Sequence, residues 1–158
     1  MRMILALLAF LVLATPVHAG SVAPRDGWAV HDTAKPYKQL IGDLKRAVKS
    51  NGMFVVTQAG PTGAAKKRGI TIPGNRVIGV YNNDFAVRAV RLSVAAMIEA
   101  PIRFYVTEDP DGTATLSYKT PSHVFAPYVS EAGPDLAALA KELDTIFANI
   151  AAEAVADQ

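Results

Sequence analysis

The chain has 158 residues, 51% of them hydrophobic, with 16 Lys and Arg against 14 Asp and Glu and no cysteine. A charge balance this close to neutral argues against a general polyanion binder. The lack of cysteine excludes disulfides, thiolate metal sites, a cysteine nucleophile and the Cys-x-x-Cys-His attachment of c-type haem.

The chain begins "MRMILALLAFLVLATPVHAG", with Arg2 ahead of an apolar run from Met3 to Ala14, then Pro16 and small residues before Gly20. This pattern predicts a signal peptide over 1–19, cleaved after Ala19. The apolar run is short of the ~20 residues that span a bilayer, so no membrane association is expected after cleavage. Export without cysteine points to a bacterial periplasm, since small secreted eukaryotic domains often lean on disulfides.

Residues 20–27 then read as a flexible tail with Pro24, Asp26 and Gly27, and 28–156 as a single domain. "WAVHD" predicts a first strand. In "KPYKQLIGDLKRAVKSNG", Tyr37, Leu40, Ile41, Leu44 and Val48 recur at helical spacing, with Pro36 as the first helical residue and Asn51 and Gly52 as the stop. "MFVVTQA" reads as a buried strand because it is rich in β-branched and aromatic residues. A short helix from Pro61 to Gly69, a turn at "ITIPGN" and a third strand "RVIGVY" follow.

Asn82, Asn83 and Asp84 offer oxygens to cap a helix whose Ala86, Ala89, Val90, Val94, Met97 and Ile98 share one face up to Pro101. "IRFYVTE" alternates Ile102, Phe104 and Val106 with Arg103, Tyr105 and Thr107, the period of a half-buried strand. "DPDG" is a turn, and "TATLSYK" alternates again, which makes a hairpin. "SYKTPSHVFAPY" reads as an extended corner: Pro121 keeps the strand from continuing, and Phe125, Pro127 and Tyr128 lead to a last helix opened by Gly133 and Pro134. Its apolar stripe runs from Leu136 to Ile150.

The order strand, helix, strand, strand, helix, strand, strand, helix, plus one short helix, predicts an α+β sandwich with helices on a mainly antiparallel sheet.

No metalloprotease, P-loop, nucleophile-elbow or EF-hand motif is present. Ser122 beside His123 suggests a nucleophile and base, but adjacent residues of an extended segment point apart. His31 and His123 alone are too few for a zinc or copper site; a b-type haem needs only one or two axial ligands, which His123, Met97 or a tyrosine would supply. Six cations between Pro61 and Ile98 face six acids between Ser130 and Gln158 in the linear sequence. Such runs are usually solvated faces. The basic run lacks interleaved aromatics, so nucleic-acid binding ranks last.

"AGPTGAAKKRGITIPGNRVIGVYNNDFAVRAV" and "IEAPIRFYVTEDPDGTATLSYKTPSHVFAPY" resemble the exported branch of the bacterial family called domain of unknown function 302, over roughly Trp28 to Ala151. The resemblance implies a small α+β domain, paired as a homodimer. Some relatives carry a cysteine near the segment that here reads "GVYNND"; this chain has Tyr81, Asn82 and Asn83 there, so a thiol role does not transfer.

These readings lead to a non-catalytic periplasmic module that binds a small ligand or partner protein, with His123, Tyr118, Tyr105, Arg103, Tyr81 and Asn82 as candidate ligand-binding residues and no catalytic or metal residues assigned. The alternatives are an enzyme of unfamiliar type, with Glu99 or His123 as acid or base and Arg103 or Arg88 holding an anion, and a structural homodimeric assembly protein.

Overall fold

Period-two alternation in the strands and helical periodicity between them produce a two-layer arrangement. In the computed structural model, which describes residues 22–157, the strands are β1 (Trp28–Thr33), β2 (Phe54–Ala59), β3 (Asn75–Tyr81), β4 (Ile102–Glu108) and β5 (Ala114–Lys119). They form one sheet in the order β1-β5-β4-β3-β2, and every neighbouring pair is antiparallel. The helices are α1 (Tyr37–Ser50), α2 (Thr62–Lys67), α3 (Asn83–Leu92), α4 (Pro121–Phe125), α5 (Val129–Ala132) and α6 (Pro134–Val155). The fold is the α+β class that the element order implied. The signal-peptide reading lies outside the described residues.

The alternating apolar sets define which face is covered. Ile78, Val80, Ile102, Phe104, Val106, Leu116 and Tyr118 are buried under Leu40, Leu44 and Val48 of α1 and Leu136, Leu139, Leu143, Phe147 and Ile150 of α6. Phe104 stacks on Phe147 at 4.7 Å between ring centroids, and Tyr118 tilts against both. The stripe of α6 is thus covered by the chain's own sheet and α1.

One polar clamp ties these helices together. Lys35 lies buried just ahead of α1 and donates to Asp43 Oδ2 at 2.7 Å and to the carbonyl of Ala154 at 2.9 Å. Asp43 also pairs with Arg46 one turn on. A buried lysine and carboxylate tolerate that setting only when paired and hydrogen-bonded. For Asp43, burial alone would push its carboxyl up, but Lys35 and Arg46 outweigh it and hold the group below the ordinary aspartate range.

Four local expectations are corrected. Pro36 sits just before α1 with extended ψ of 146°, so it precedes the helix. β2 is an exposed edge strand, with Phe54 60% and Val56 49% exposed; a short apolar run does not distinguish a central strand from an edge. The third helix ends at Leu92 because Ser93 turns extended. Its hydroxyl accepts from the Ala96 amide at 3.1 Å and donates to Glu131 at 2.9 Å, opening a separate 3-10 turn, Ala95–Glu99, that leaves Val94 and Ile98 exposed.

The fourth concerns residues 121–128, which are helical rather than extended. Thr120 caps α4 by accepting from the His123 amide at 3.3 Å, with Pro121 in the first turn, where its missing N–H costs nothing. A 3-10 turn over Ala126–Tyr128 follows.

A candidate binding groove on the open face of the sheet

The residues that alternate away from α1 and α6 line up in rows, because antiparallel register places partners side by side. One row crosses all five strands: Val30 opposite Ser117, Ser117 opposite Tyr105, Tyr105 opposite Val77, and Val77 opposite Ala59. The next row toward the β5 end holds Trp28 opposite Lys119, then Arg103 opposite Gly79, and Gly79 opposite Thr57. On the other side run Asp32, Thr115, Thr107 and Asn75. The open face therefore carries a cationic row, an apolar row and a hydroxyl and acid row in sequence.

A groove of about 580 Å³ occupies this face, within the range of small-molecule sites. Val77 and Tyr105 form its floor, and Ala59, Gly60 and Pro61 bound it near β2. Trp28, Lys119 and Arg103 flank it, and Glu99, Ile102 and Val124 close the end where β4 begins and β5 finishes. Two cations lie over Trp28: the Arg25 guanidinium is 4.9 Å and the Lys119 ammonium 5.8 Å from its ring centre, contacts that steady an indole. Ser117 lies between Val30 and Tyr105, fully buried, and its hydroxyl has no hydrogen-bond partner.

The six candidate residues divide. Arg103, Tyr105 and Tyr118 line the groove. The two tyrosines share it although Phe104 pairs with Tyr118, so that they leave the sheet on opposite faces. Tyr118 is 5% exposed and touches the groove at its margin; its ring packs in the core and stacks on His31. Burial, with Asp144 nearby, pushes its phenol up.

His123 is exposed on α4 and does not line the groove. Its ring packs on Gly27, where an added Cβ would come within 2.1 Å of Nδ1. Gly27 has φ of +73° and its carbonyl accepts from the Thr120 amide at 2.9 Å, so His123 covers the anchored end of the N-terminal segment. Tyr81 and Asn82 follow Val80, the partner of Ile102, at the C-terminal end of β3. Asn82 caps α3, its Oδ1 accepting from Asp84 and Phe85 and its Nδ2 donating to the Gly52 carbonyl at 3.0 Å. Both residues line a separate, smaller void of about 40 Å³ and not the groove.

The catalytic alternatives lose most of their geometry. Ser122 shares no hydrogen bond with His123; its amide and hydroxyl both donate to Asp144. Since α4 is a helix, the extended-chain reason expected for that separation is replaced by this contact. Arg88 makes a bidentate pair with Glu142 at 2.7 and 2.8 Å, linking the basic and acidic runs and removing it from the anion-holding role. Glu99 and Arg103 do line one groove, with Glu99 accepting from the Tyr128 hydroxyl at 2.8 Å, but His123 does not join them. Met97 lines the small void beside α3, and His123 lines neither that void nor the groove.

Trp28, Lys119, Val77 and Ala59 escaped the sequence reading because a row across five strands depends on register. The one local signal was the sole tryptophan opening the first strand.

Fold and groove define a small two-layer α+β domain with one sheet face that no helix among the described residues covers. Residues 29–154 match the family described as "Domain of unknown function DUF302", and the chain belongs to that family. The crystal structure of an uncharacterized conserved DUF302 protein from Bacillus stearothermophilus is similar with a TM-score of 0.70 at 17% identity, covering 80% of this chain and 96% of that one. At that identity the likeness establishes the fold. No curated protein matches the chain.

Proposed function

We propose that the chain is an exported, non-catalytic module that binds a small ligand in the groove on its open sheet face. The observation that carries this reading is a concave, largely apolar surface, floored by Val77 and Tyr105 and flanked by Trp28, in a sheet whose other face already supplies the core. Uncovered apolar concavities with a few convergent polar groups are the usual form of ligand sites. Glu99 is engaged by the Tyr128 hydroxyl and His123 stands outside the groove, so no free acid-base pair is assembled there and binding is favoured over turnover. The leader-like residues 1–19 support export.

Trp28 reports on the groove directly, since it is the only tryptophan. A screen of small apolar and amphipathic compounds by Trp28 fluorescence is expected to find saturable binding that Val77→Asp abolishes without unfolding the protein. Saturable binding that survives Val77→Asp contradicts the proposal, as does turnover of a bound compound that Glu99→Gln abolishes.

A homodimer is a second part of the reading, supported by β2. This edge strand, "FVVTQA", carries no charge and no proline, and it has one blunting device, a bulge between Val55 and Thr57. Bare edges of this kind are templates for strand pairing. A second copy is the proposed partner, joined β2 to β2. Sedimentation should give a dimer that Val56→Lys converts to monomer; a monomer at high concentration in the parent protein opposes it.

A further inference from the structure

The cationic row of the open face has a feature that folding alone does not explain. Phe104 pairs with Tyr118, so one step along both antiparallel strands Arg103 and Lys119 stand side by side on the open face. Like charges in that position destabilise a sheet. Among the described residues neither forms an ion pair with a carboxylate. Lys119 instead lies over Trp28, and Glu99, the acid in the same groove, is engaged by Tyr128.

The neighbouring row is apolar: Tyr105 and Val77 lie two residues along their strands from Arg103 and Gly79, a step of ~7 Å. Beyond it, Thr115 has Asp32 Oδ1 at 3.0 Å and Asp109 Oδ2 at 2.8 Å, so negative charge is concentrated on the far side. The acids of that row lie outside the groove, whose charged lining, Arg103, Lys119 and Glu99, is gathered on one side of the apolar row.

We infer that the groove takes an amphipathic organic anion, its carboxylate, sulfonate or phosphate held by Arg103 and Lys119 and its apolar body laid over Tyr105 and Val77. This rests on the groove being the binding site proposed above. The two cations stand on one side of the apolar row, which sets a single orientation. A planar guanidinium beside an ammonium holds such a group through charge-assisted hydrogen bonds.

The test uses two dyes of similar shape, 8-anilinonaphthalene-1-sulfonate and the uncharged N-phenyl-1-naphthylamine, each titrated against the full chain. Energy transfer from Trp28 places the bound dye at the groove. The sulfonate is expected to bind at one site and at least about tenfold more tightly than the neutral dye, the order that charge-assisted hydrogen bonds supply. In the double variant Arg103→Gln, Lys119→Gln that ratio should collapse toward one; both side chains are exposed, so folding is retained and circular dichroism confirms it. Equal affinities in the parent protein, or a ratio that survives the double variant, overturn the anion assignment and leave the groove standing. If neither dye binds with transfer from Trp28, the groove reading falls with it.

Discussion

Replacing Lys35 with methionine strands a buried carboxylate. Lys35 and Asp43 are each 4% exposed, and the lysine also supplies the hydrogen bond to the Ala154 carbonyl near the end of α6. Breaking a buried pair by removing one partner costs about 3–5 kcal/mol. Asp43 retains Arg46, which approaches from solvent with 62% of its side chain exposed, so the lower end, about 3 kcal/mol, is expected. At roughly 3 °C per kcal/mol for a domain of this size, the melting temperature should fall by about 10 °C. The double variant Lys35→Met, Asp43→Leu should recover most of that loss, because apolar groups of similar volume replace a buried pair at little cost.

The sign of the pH dependence follows from the depressed carboxyl of Asp43. Its stabilisation is complete above the unfolded aspartate value and is lost as pH falls through the lower folded value. Urea unfolding from neutral to strongly acidic pH checks both points. A cost below ~1 kcal/mol for the single variant, or a double variant no better than the single, would refute the reasoning.

Three further outcomes are expected. Asn82→Ala should cost about 1 kcal/mol as a lost helix cap and leave dye binding at the groove unchanged, measured by urea unfolding and titration; a large loss of binding would return Asn82 to the site. Burial lowers the pKa of His31, with Asp32 opposing weakly; its Nε2 has no partner. Protonation therefore opposes folding, and stability falls as pH drops through the unfolded histidine value. His31→Phe should flatten the stability profile in that window, and an unchanged slope would contradict it. Gly79→Val should be strongly destabilising, because even a Cβ would come within 2.1 Å of Thr57 Oγ1 and 2.8 Å of Pro101 Cγ; a melting temperature near that of the parent would refute that packing.

Periodicity carried much of the fold. The alternation in β4 and β5 and the long stripe of α6 each require a single face to be buried, so their packing was legible locally. It also already separated Tyr105, among the polar set, from Tyr118, among the apolar one. What escaped were features decided by distant partners. β2 is an edge because, among the described residues, only β3 pairs with it, and α3 stops where Ser93 meets Glu131 across 38 residues. Pro121 was read as a strand breaker, although Thr120 ahead of it is a helix-start signal. For the site, Arg103 and Tyr105 were found because their strand alternates cleanly. His123 was favoured for its chemistry, yet its ring serves to cover Gly27.

The most direct test of the groove as a ligand site is a native mass spectrum of the protein purified gently from its own host, beside the Val77→Asp variant prepared the same way. The account predicts a small-molecule adduct of defined mass on the parent and its loss from the variant. A bare parent protein, or an adduct that persists when Val77 is replaced, would contradict it.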